Sequence, residues 1–288
     1  MVLQLIIASL AMGIVYGLVA MGFVLIWRAV GVVNFAQGDL LMAGAYVAFT
    51  LTELEGLPMP VALVACAAIM ALVGVVFHFL TYWPLRKSWD MTVIISTIGA
   101  SIALKEIATL VWGPAPLSVE PIIPGIARFA SVSIEWQFLV TIVIAAALMG
   151  MIFYLLEKTY IGNILQATAQ DQYAAELIGI PVVVATSMTF AISALITGIG
   201  GMLISPIFFV STTMGGSPGL KAFAAVIIGG FGSVPGAIIG GIVVGVIDTF
   251  SGAYISSTYR DAIVFLCLIL ALLVRPQGIF GEKISDKV

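Results

Sequence analysis

Apolar stretches long enough to cross a bilayer, which takes about 20 residues for a helix, recur along the whole chain. Residues 1–27, 136–156 and 177–220, for example, contain no charged side chain. The alternation over about ten residues that is typical of membrane β-strands is absent from the sequence. The pattern predicts an all-α polytopic membrane protein of about eight transmembrane helices, folded as one domain over residues 1–288.

The composition excludes an ordinary soluble domain. Hydrophobic residues make up 62% of the chain and charged residues 9%, whereas a typical soluble domain has about 25% charged residues. A soluble fold of this length has too much surface for its volume to hide so many apolar groups. The net charge of −3 gives no indication of nucleic-acid binding. Cys66 and Cys267 lie in apolar runs and are interpreted as packing residues.

The distribution of basic residues predicts the orientation of the chain. Arg86–Lys87 and Lys158 follow the third and fifth apolar spans, and the tail carries Arg275, Lys283 and Lys287. Because cytoplasmic loops are enriched in Lys and Arg, all three segments are expected in the cytoplasm. The uncharged start of the chain is then an uncleaved first span that begins outside the cell.

Glycine interrupts two late apolar segments, residues 219–231 and 236–250. The chain is therefore expected to cross the membrane nine times, or seven times if this short pair forms one re-entrant hairpin. Within the second segment, Gly236-x-x-x-Gly240 and Gly241-x-x-x-Gly245 have the small-residue spacing that lets helix backbones approach each other closely.

Three polar side chains, Asn34, Gln37 and Asp39, lie between the first two apolar stretches. In lipid, each would be costly if it had no hydrogen-bond partner. They are expected either in a loop at headgroup level or facing a wet cavity. The amides would there bind polar substrate groups or cap the next helix, and Asp39 would suit the positive end of that helix.

Residues 158–181 form the longest mixed polar stretch and predict a short amphipathic helix that ends at Gly179. Lys158 at its start indicates the cytoplasmic side. Two interpretations stay open for this helix: it fills the membrane interface, or it docks a soluble partner.

Few other charged residues lie in the apolar stretches. Lys221 is expected either to snorkel to the interface or to attract a substrate carboxylate. Adjacent helical residues point about 100° apart, so Lys105 and Glu106 are expected to find separate partners. The single histidine, His78, is interpreted as a packing residue. The sequence has no P-loop motif, no metal-ligand spacing and no convergent ionisable groups that would indicate an enzyme.

Six segments, in order along the chain, carry a resemblance to a known family. They are Asn34–Asp39 with Gly44-Ala45-Tyr46, Pro84-Leu85-Arg86, Thr97-Ile98-Gly99, the stretch from Gly162 to Ile180, Lys221–Ala224 with Gly229–Ser233, and Arg275–Gly281. Together they resemble the branched-chain amino acid permeases of LivH type, and the resemblance covers essentially the whole chain.

The resemblance implies the permease subunit of an ATP-driven importer in the bacterial inner membrane. In that family a periplasmic substrate-binding protein captures the solute, and two related permease chains form the path through the lipid. Two cytoplasmic ATPase subunits bind ATP and Mg and drive the transport. A chain of this kind would form a heterodimer with a second permease, hold no cofactor or metal itself, hydrolyse nothing and bind no nucleic acid.

On this interpretation, several residues have expected roles. Asn34, Gln37, Asp39 and Lys221 are expected near the translocation path. The residues expected to couple the permease to the ATPase are Gln166, Asp171, Ala175 and Gly179.

Three positions depart from the family pattern, the first being Asp39, where the family usually has Glu. Trp83 stands where the family has Arg, and Gln166 stands where a basic residue is common. Since relatives move branched-chain amino acids, urea, short amides or small organic acids, the solute stays open among these classes. A stand-alone secondary transporter is the alternative from another class, and its ion site would have to use Asp248, Glu106 or Lys105.

Overall fold

The computed structural model describes residues 2–129 and 132–281, which form a helical bundle with one short β-hairpin. The helices are α1 (Val2–Val30), α2 (Gln37–Phe49), α3 (Met59–Phe77), α4 (Asp90–Trp112), α5 (Trp136–Lys158), α6 (Tyr160–Gln170), α7 (Gln172–Leu177), α8 (Val182–Ile204), α9 (Gly216–Gly229), α10 (Val234–Tyr254) and α11 (Arg260–Val274). The antiparallel hairpin consists of β1 (Ile126–Phe129) and β2 (Val132–Glu135). Single π-helical turns extend α2 over Thr50–Leu54 and α3 over His78–Tyr82, and a 3₁₀ turn follows α3 at Trp83–Leu85.

The predicted all-α membrane fold is confirmed. Within the described residues, six helices are long and apolar enough to cross a membrane: α1, α3 with its extension, α4, α5, α8 and α10. Helix α9 is a shorter apolar helix. Helices α2 and α11, of 13 and 15 residues, are also shorter than a full crossing.

Helix α1 lies at the centre of the bundle. Every residue from Ala11 to Ile26 is buried, as expected for a helix that is apolar on all sides. It packs against α5, α8, α9 and α10. Helix α4 lies at the periphery, where Ile95, Ile102 and Leu110 point outwards.

The structure confirms the close backbone approach that the glycine spacing predicts for α10. A methyl group on Gly241 would lie 2.5 Å from the Cα atom of Gly17, and one on Gly245 would lie 2.5 Å from the backbone nitrogen of Gly13. Both partners belong to α1. Glycine is therefore needed on both sides of this contact, because any side chain would push the two helices apart.

Helices α2 and α9 begin inside the bundle instead of at its ends. Gln37, the first residue of α2, hydrogen-bonds to Ser193, which lies at the midpoint of α8. Gly38 contacts the backbone of Gly215, the residue immediately before α9. The two broken helices therefore start against each other, deep in the protein.

Irregular segments complete the passes of these short helices. Residues 31–36 lead into α2, and residues 205–215 lead into α9 from the end of the bundle at which Val210 pairs with Leu117. Among the described residues, six helices have full crossing length while α2, α9 and α11 are shorter, so the expected number of crossings stays a prediction. Helix α10, the second member of the expected re-entrant pair, is a full-length helix of 21 residues.

Basic residues at the ends of α3, α5 and α11 lie at one end of the bundle, here called the basic end. Arg86–Lys87 line a cavity with residues of α7, and Lys158 ends α5 directly before α6. Arg275 ends α11, and the chain after it hydrogen-bonds to the end of α9. The predicted grouping of these loops agrees with this arrangement. Lys283 and Lys287 lie outside the described residues.

Candidate functional site

The segment between α1 and α2 is held in the interior by buried amides. The Asn34 Nδ2 atom donates to Gln37 Oε1 at 3.1 Å. Gln37 Nε2 donates to the hydroxyl oxygens of Ser193 at 2.9 Å and Thr197 at 2.6 Å. Ser193 donates in turn to the carbonyl oxygen of Gly22 at 3.0 Å. These bonds satisfy both amides inside the protein, at the middle of α8, so the segment is not a loop at headgroup level.

Asp39, two residues further on, faces a cleft of about 140 Å³. Its Oδ1 atom lies 3.4 Å from Nζ of Lys105 on α4, and the Lys105 side chain is 38% exposed. Three phenyl rings, those of Phe23, Phe35 and Phe223, form one wall of the cleft, and the ring centroid of Phe223 lies 5.8 Å from that of Phe23 and 6.2 Å from that of Phe35. The cleft therefore combines an ion pair with an aromatic wall.

Lys105 belongs to a polar stripe on α4 that the sequence reasoning missed. Thr97, Ser101 and Lys105 are four residues apart, so they lie on one side of the helix. The Thr97 hydroxyl accepts a hydrogen bond from the backbone nitrogen of Phe35 at 3.2 Å, and the other two line the cleft. The four-residue spacing is the signal that finds this stripe. Glu106 lies on another side of α4 and is exposed.

Glycines form another wall of the cleft. Gly38 contacts Gly215 and Gly219, and a methyl group on Gly219 would lie 2.8 Å from the Cα atom of Gly38. No side chain therefore separates the starts of α2 and α9. Gly216 also lines the cleft, but a methyl group there would meet no atom within 4 Å.

Lys221, on α9, lies in a buried ion cluster. Its side chain is 1% exposed, and its Nζ atom lies 2.7 Å from a carboxylate oxygen of Asp248 and 2.7 Å from one of Asp261. Asp248 also accepts hydrogen bonds from Tyr16 Oη at 2.9 Å and from Arg260 Nη2 at 3.0 Å. The Lys221 charge is thus neutralised within the fold and does not snorkel. The cluster contains two cations and two carboxylates from α9, α10 and α11, so its charges cancel.

The predicted coupling segment consists of two helices instead of one. Asp171 adopts an extended backbone conformation between α6 and α7, and its Oδ1 atom accepts from the backbone nitrogens of Tyr173 at 2.9 Å and Ala174 at 3.0 Å. The prediction of a single amphipathic helix over this stretch was wrong. The side chain of Asp171 caps the start of a second helix and so divides the segment. Gly179 ends α7 with a φ of +87°, as predicted from its position.

Of the other two expected coupling residues, Ala175 bonds within the segment and Gln166 bonds to the bundle. Ala175 is buried, and its carbonyl oxygen accepts from the backbone nitrogen of Ile180 at 3.0 Å. Gln166 Nε2 donates to the carbonyl oxygen of Leu156 near the end of α5 at 2.6 Å. Gln172 donates to the carbonyl oxygen of Ala29, in the last turn of α1, at 2.7 Å. The α6–α7 unit is therefore tied to the ends of both helices.

The outer surface of α7 is apolar and exposed. Tyr173, Leu177 and Ile178 are 73%, 71% and 75% exposed. Beside them lies a cavity of about 530 Å³, lined in part by Trp83 and Arg86. The Arg86 guanidinium stacks over the Trp83 ring at 3.4 Å, so the ring positions this cation.

The described residues give no indication of a metal site. No group of three or more His, Cys, Asp or Glu side chains in 2–129 and 132–281 is arranged to hold an ion. His78 is buried, and its Nε2 atom lies 3.0 Å from the Thr186 hydroxyl among aromatic rings. Cys66 is buried and Cys267 half-buried, and neither forms a disulfide.

Residues 5–272 match the sequence family described as "Branched-chain amino acid transport system / permease component". The chain belongs to this family. It is 32% identical over 301 aligned positions to the high-affinity branched-chain amino acid transport system permease protein LivH of Salmonella typhimurium, covering 99% of this chain and 97% of that one. BraD of Pseudomonas aeruginosa, a permease protein of the same description, is 31% identical over 99% of this chain and 98% of its own.

A further relative is similar over most of its length. A probable branched-chain amino acid transport permease protein LivH of Methanocaldococcus jannaschii is 29% identical over 92% of this chain and 88% of its own. The matched region of the family includes the cleft beside α4, the ion cluster and the α6–α7 unit. This multi-pass membrane permease thus has two places with distinct chemistry, an interior cleft and an exposed apolar unit at the basic end.

Proposed function

We propose that this permease forms half of the path of an ATP-driven importer that brings a branched-chain or similar amino acid across the bacterial inner membrane. A related second permease forms the other half, as a heterodimer. Two cytoplasmic ATPase subunits supply the energy and bind the ATP and Mg, and a periplasmic substrate-binding protein delivers the solute. The names of the relatives, which cover nearly the full length of this chain, support the proposal.

The observation that carries the proposal is the α6–α7 unit. It presents exposed apolar side chains at the basic end, which the positive-inside rule assigns to the cytoplasm. Exposed apolar groups of this kind mark a contact surface, since their exposure to water is unfavourable. Within the unit, Asp171 caps the start of α7 and Gly179 ends it. An ATPase surface is the partner that an importer provides there.

The contacts of the unit support a route for the energy. Gln172 bonds to Ala29 at the end of α1 and lies 3.4 Å from the Tyr82 hydroxyl at the end of α3. A displacement of α7 would therefore move both helices. Helix α1 contacts the start of α2 through Gly22 and Ser193, so the movement would reach the broken helices beside the cleft.

The first experiment is purification with the neighbouring gene products. The complex would be placed in lipid discs, and ATP hydrolysis would be measured with a leucine-loaded binding protein and then with other loaded solutes. Stimulation by the leucine-loaded form is expected. Stimulation only by another solute would keep the importer and replace the substrate. Solute uptake by cells is measured separately. Uptake that survives ATP depletion and is lost with the proton gradient would overturn the proposal in favour of a secondary transporter.

A pair of glycine variants tests the docking role. Gly179 and Gly113 both end helices with similar φ values, +87° and +84°, and both donate a backbone hydrogen bond. Proline locks φ near about −65° and removes that donor, so both variants carry the same local strain. Gly179→Pro is expected to insert and assemble but to uncouple ATP hydrolysis from uptake. Gly113→Pro, at the other end of the bundle, is expected to stay coupled, and normal uptake in Gly179→Pro would contradict the docking role.

A further inference from the structure

We propose that the Asp39–Lys105 ion pair is the binding site for the charged head of a zwitterionic α-amino acid, called here the head-group site. The substrate ammonium would bind the Asp39 carboxylate, and the substrate carboxylate would bind the Lys105 ammonium. The inference rests on the proposed importer function and names the solute class that its interior path accepts.

The ion pairs of Lys105 and Lys221 differ in length and in exposure to solvent. Lys221 lies 2.7 Å from each of its carboxylates, with Nζ sealed from solvent. Lys105 lies 3.4 Å from Asp39 with more than a third of its side chain exposed, beside a cleft. Charge-assisted hydrogen bonds of full strength measure about 2.7–2.9 Å. The Asp39 pair is therefore looser, and it is the one that a ligand in the cleft can reach.

The Asp39 carboxylate has spare capacity to accept hydrogen bonds. It is 4% exposed, and Lys105 is the cation that pairs with it among the described residues. A carboxylate has about four lone-pair sites, so an incoming ammonium can bind without competing for all of them. When the ligand leaves, Asp39 and Lys105 close on each other again. Neither charge is then left bare in the interior, where an unpaired charge is very unfavourable.

The rest of the cleft suits a small aliphatic side chain. Phe23, Phe35 and Phe223 provide an apolar wall, and Leu220 extends it. The volume of about 140 Å³ corresponds to roughly five water molecules at about 30 Å³ each, which is the scale of a small amino acid. The glycine wall at Gly216 leaves room beside the charged groups.

The same charges disfavour the other solute classes of the family. A small organic acid offers no ammonium and would bring its carboxylate towards the buried Asp39. Urea and short amides carry no charge that could replace the ion pair, so they would have to leave it intact. The head-group site therefore selects for a molecule that carries both charges close together.

Neutral variants distinguish a binding site from a merely structural ion pair. Asp39→Asn and Lys105→Gln each leave one unpaired charge, and both are expected to lower leucine uptake by the complex in sealed lipid vesicles about tenfold or more. The double variant leaves no bare charge and is expected to assemble and to melt within about 2 °C of the unmodified complex. Its leucine uptake is still expected to be about tenfold lower. Glu106→Gln, on the exposed side of the same helix, is the matched control and should transport normally.

The double variant decides the matter. If it transports leucine within about twofold of the unmodified complex, the pair is structural and the inference is overturned, while the importer function stands. If the unmodified complex shows no ATP-driven uptake of any solute, the proposed function itself fails.

A second pair of variants tests whether the cleft lies on the path. Gly216→Leu places a side chain into the cleft without meeting a neighbouring atom at Cβ, and it is expected to reduce uptake about tenfold or more with normal assembly. Gly99→Leu on α4 also meets open space but does not line the cleft, and it should transport normally. Normal uptake by Gly216→Leu would remove the cleft from the path and with it the head-group site.

Discussion

Replacement of Lys221 by methionine tests the role of the buried ion cluster. The change keeps an unbranched side chain but removes the cation that lies 2.7 Å from both Asp248 and Asp261. The side chain of Asp248 is 2% exposed, so its carboxylate cannot exchange the lost partner for water. We therefore expect a loss of stability instead of a selective loss of transport.

The magnitude follows from what remains around the carboxylates. Removal of one partner from a buried ion pair typically costs about 3–5 kcal/mol. Asp248 keeps Arg260 Nη2 at 3.0 Å and Tyr16 Oη at 2.9 Å, and the side chain of Asp261 is 49% exposed. We therefore expect a loss near the lower end, about 3 kcal/mol, for Lys221→Met. At about 2–4 °C per kcal/mol, the melting temperature would fall by roughly 6–12 °C.

The assay is thermal unfolding of the purified complex in lipid discs at one fixed scan rate. Asp248→Asn is measured alone and together with Lys221→Met. Because the double variant removes both the cation and the central carboxylate, its loss should be smaller than the sum of the single losses by about 1–3 kcal/mol. A Lys221→Met protein that melts within about 2 °C of the unmodified one, or strictly additive losses, would refute the structural role of the cluster.

Three further changes test other contacts. Gly241→Leu forces apart helices α1 and α10 and should cost about 3 kcal/mol or more, whereas Gly150→Leu, which meets no atom within 4 Å, should change stability by less than about 0.5 kcal/mol. The two glycine variants are compared by their folded yield in size-exclusion chromatography in detergent. Asp171→Ala removes the α7 cap and should cost about 1 kcal/mol locally, seen as faster hydrogen exchange in α7 and weaker ATPase stimulation. Gln37→Leu leaves Asn34 without its acceptor and should cost about 1–3 kcal/mol in a melting experiment.

Each of these predictions has an outcome that would contradict it. Equal yields of the two glycine variants would mean that the close approach of α1 and α10 is not required. Unchanged hydrogen exchange in Asp171→Ala would mean that packing alone holds α7. A Gln37→Leu protein as stable as the unmodified one would mean that the buried amides do not fix the start of α2.

The sequence by itself determined the class of fold and its orientation signals. A bilayer core accepts only backbones whose hydrogen bonds are satisfied within the segment, so uncharged stretches such as residues 136–156 had to be helices. The spacing from Gly241 to Gly245 predicted a close helix contact for the same kind of local reason, since residues four apart share one side of a helix. The stop at Gly179 followed from a local preference for positive φ.

Only the tertiary structure decided which of these helix surfaces meet. Asp39 and Lys105 are 66 residues apart, and Lys221 finds a partner in Asp261 on another helix. Helical periodicity tells which residues share a side, but it does not tell which sides face each other or at what depth a broken helix starts. The position of Gln37 at the middle of α8 is such a depth. These pairings depend on the packing of the whole bundle, in which close fit and the need to neutralise buried charges act together.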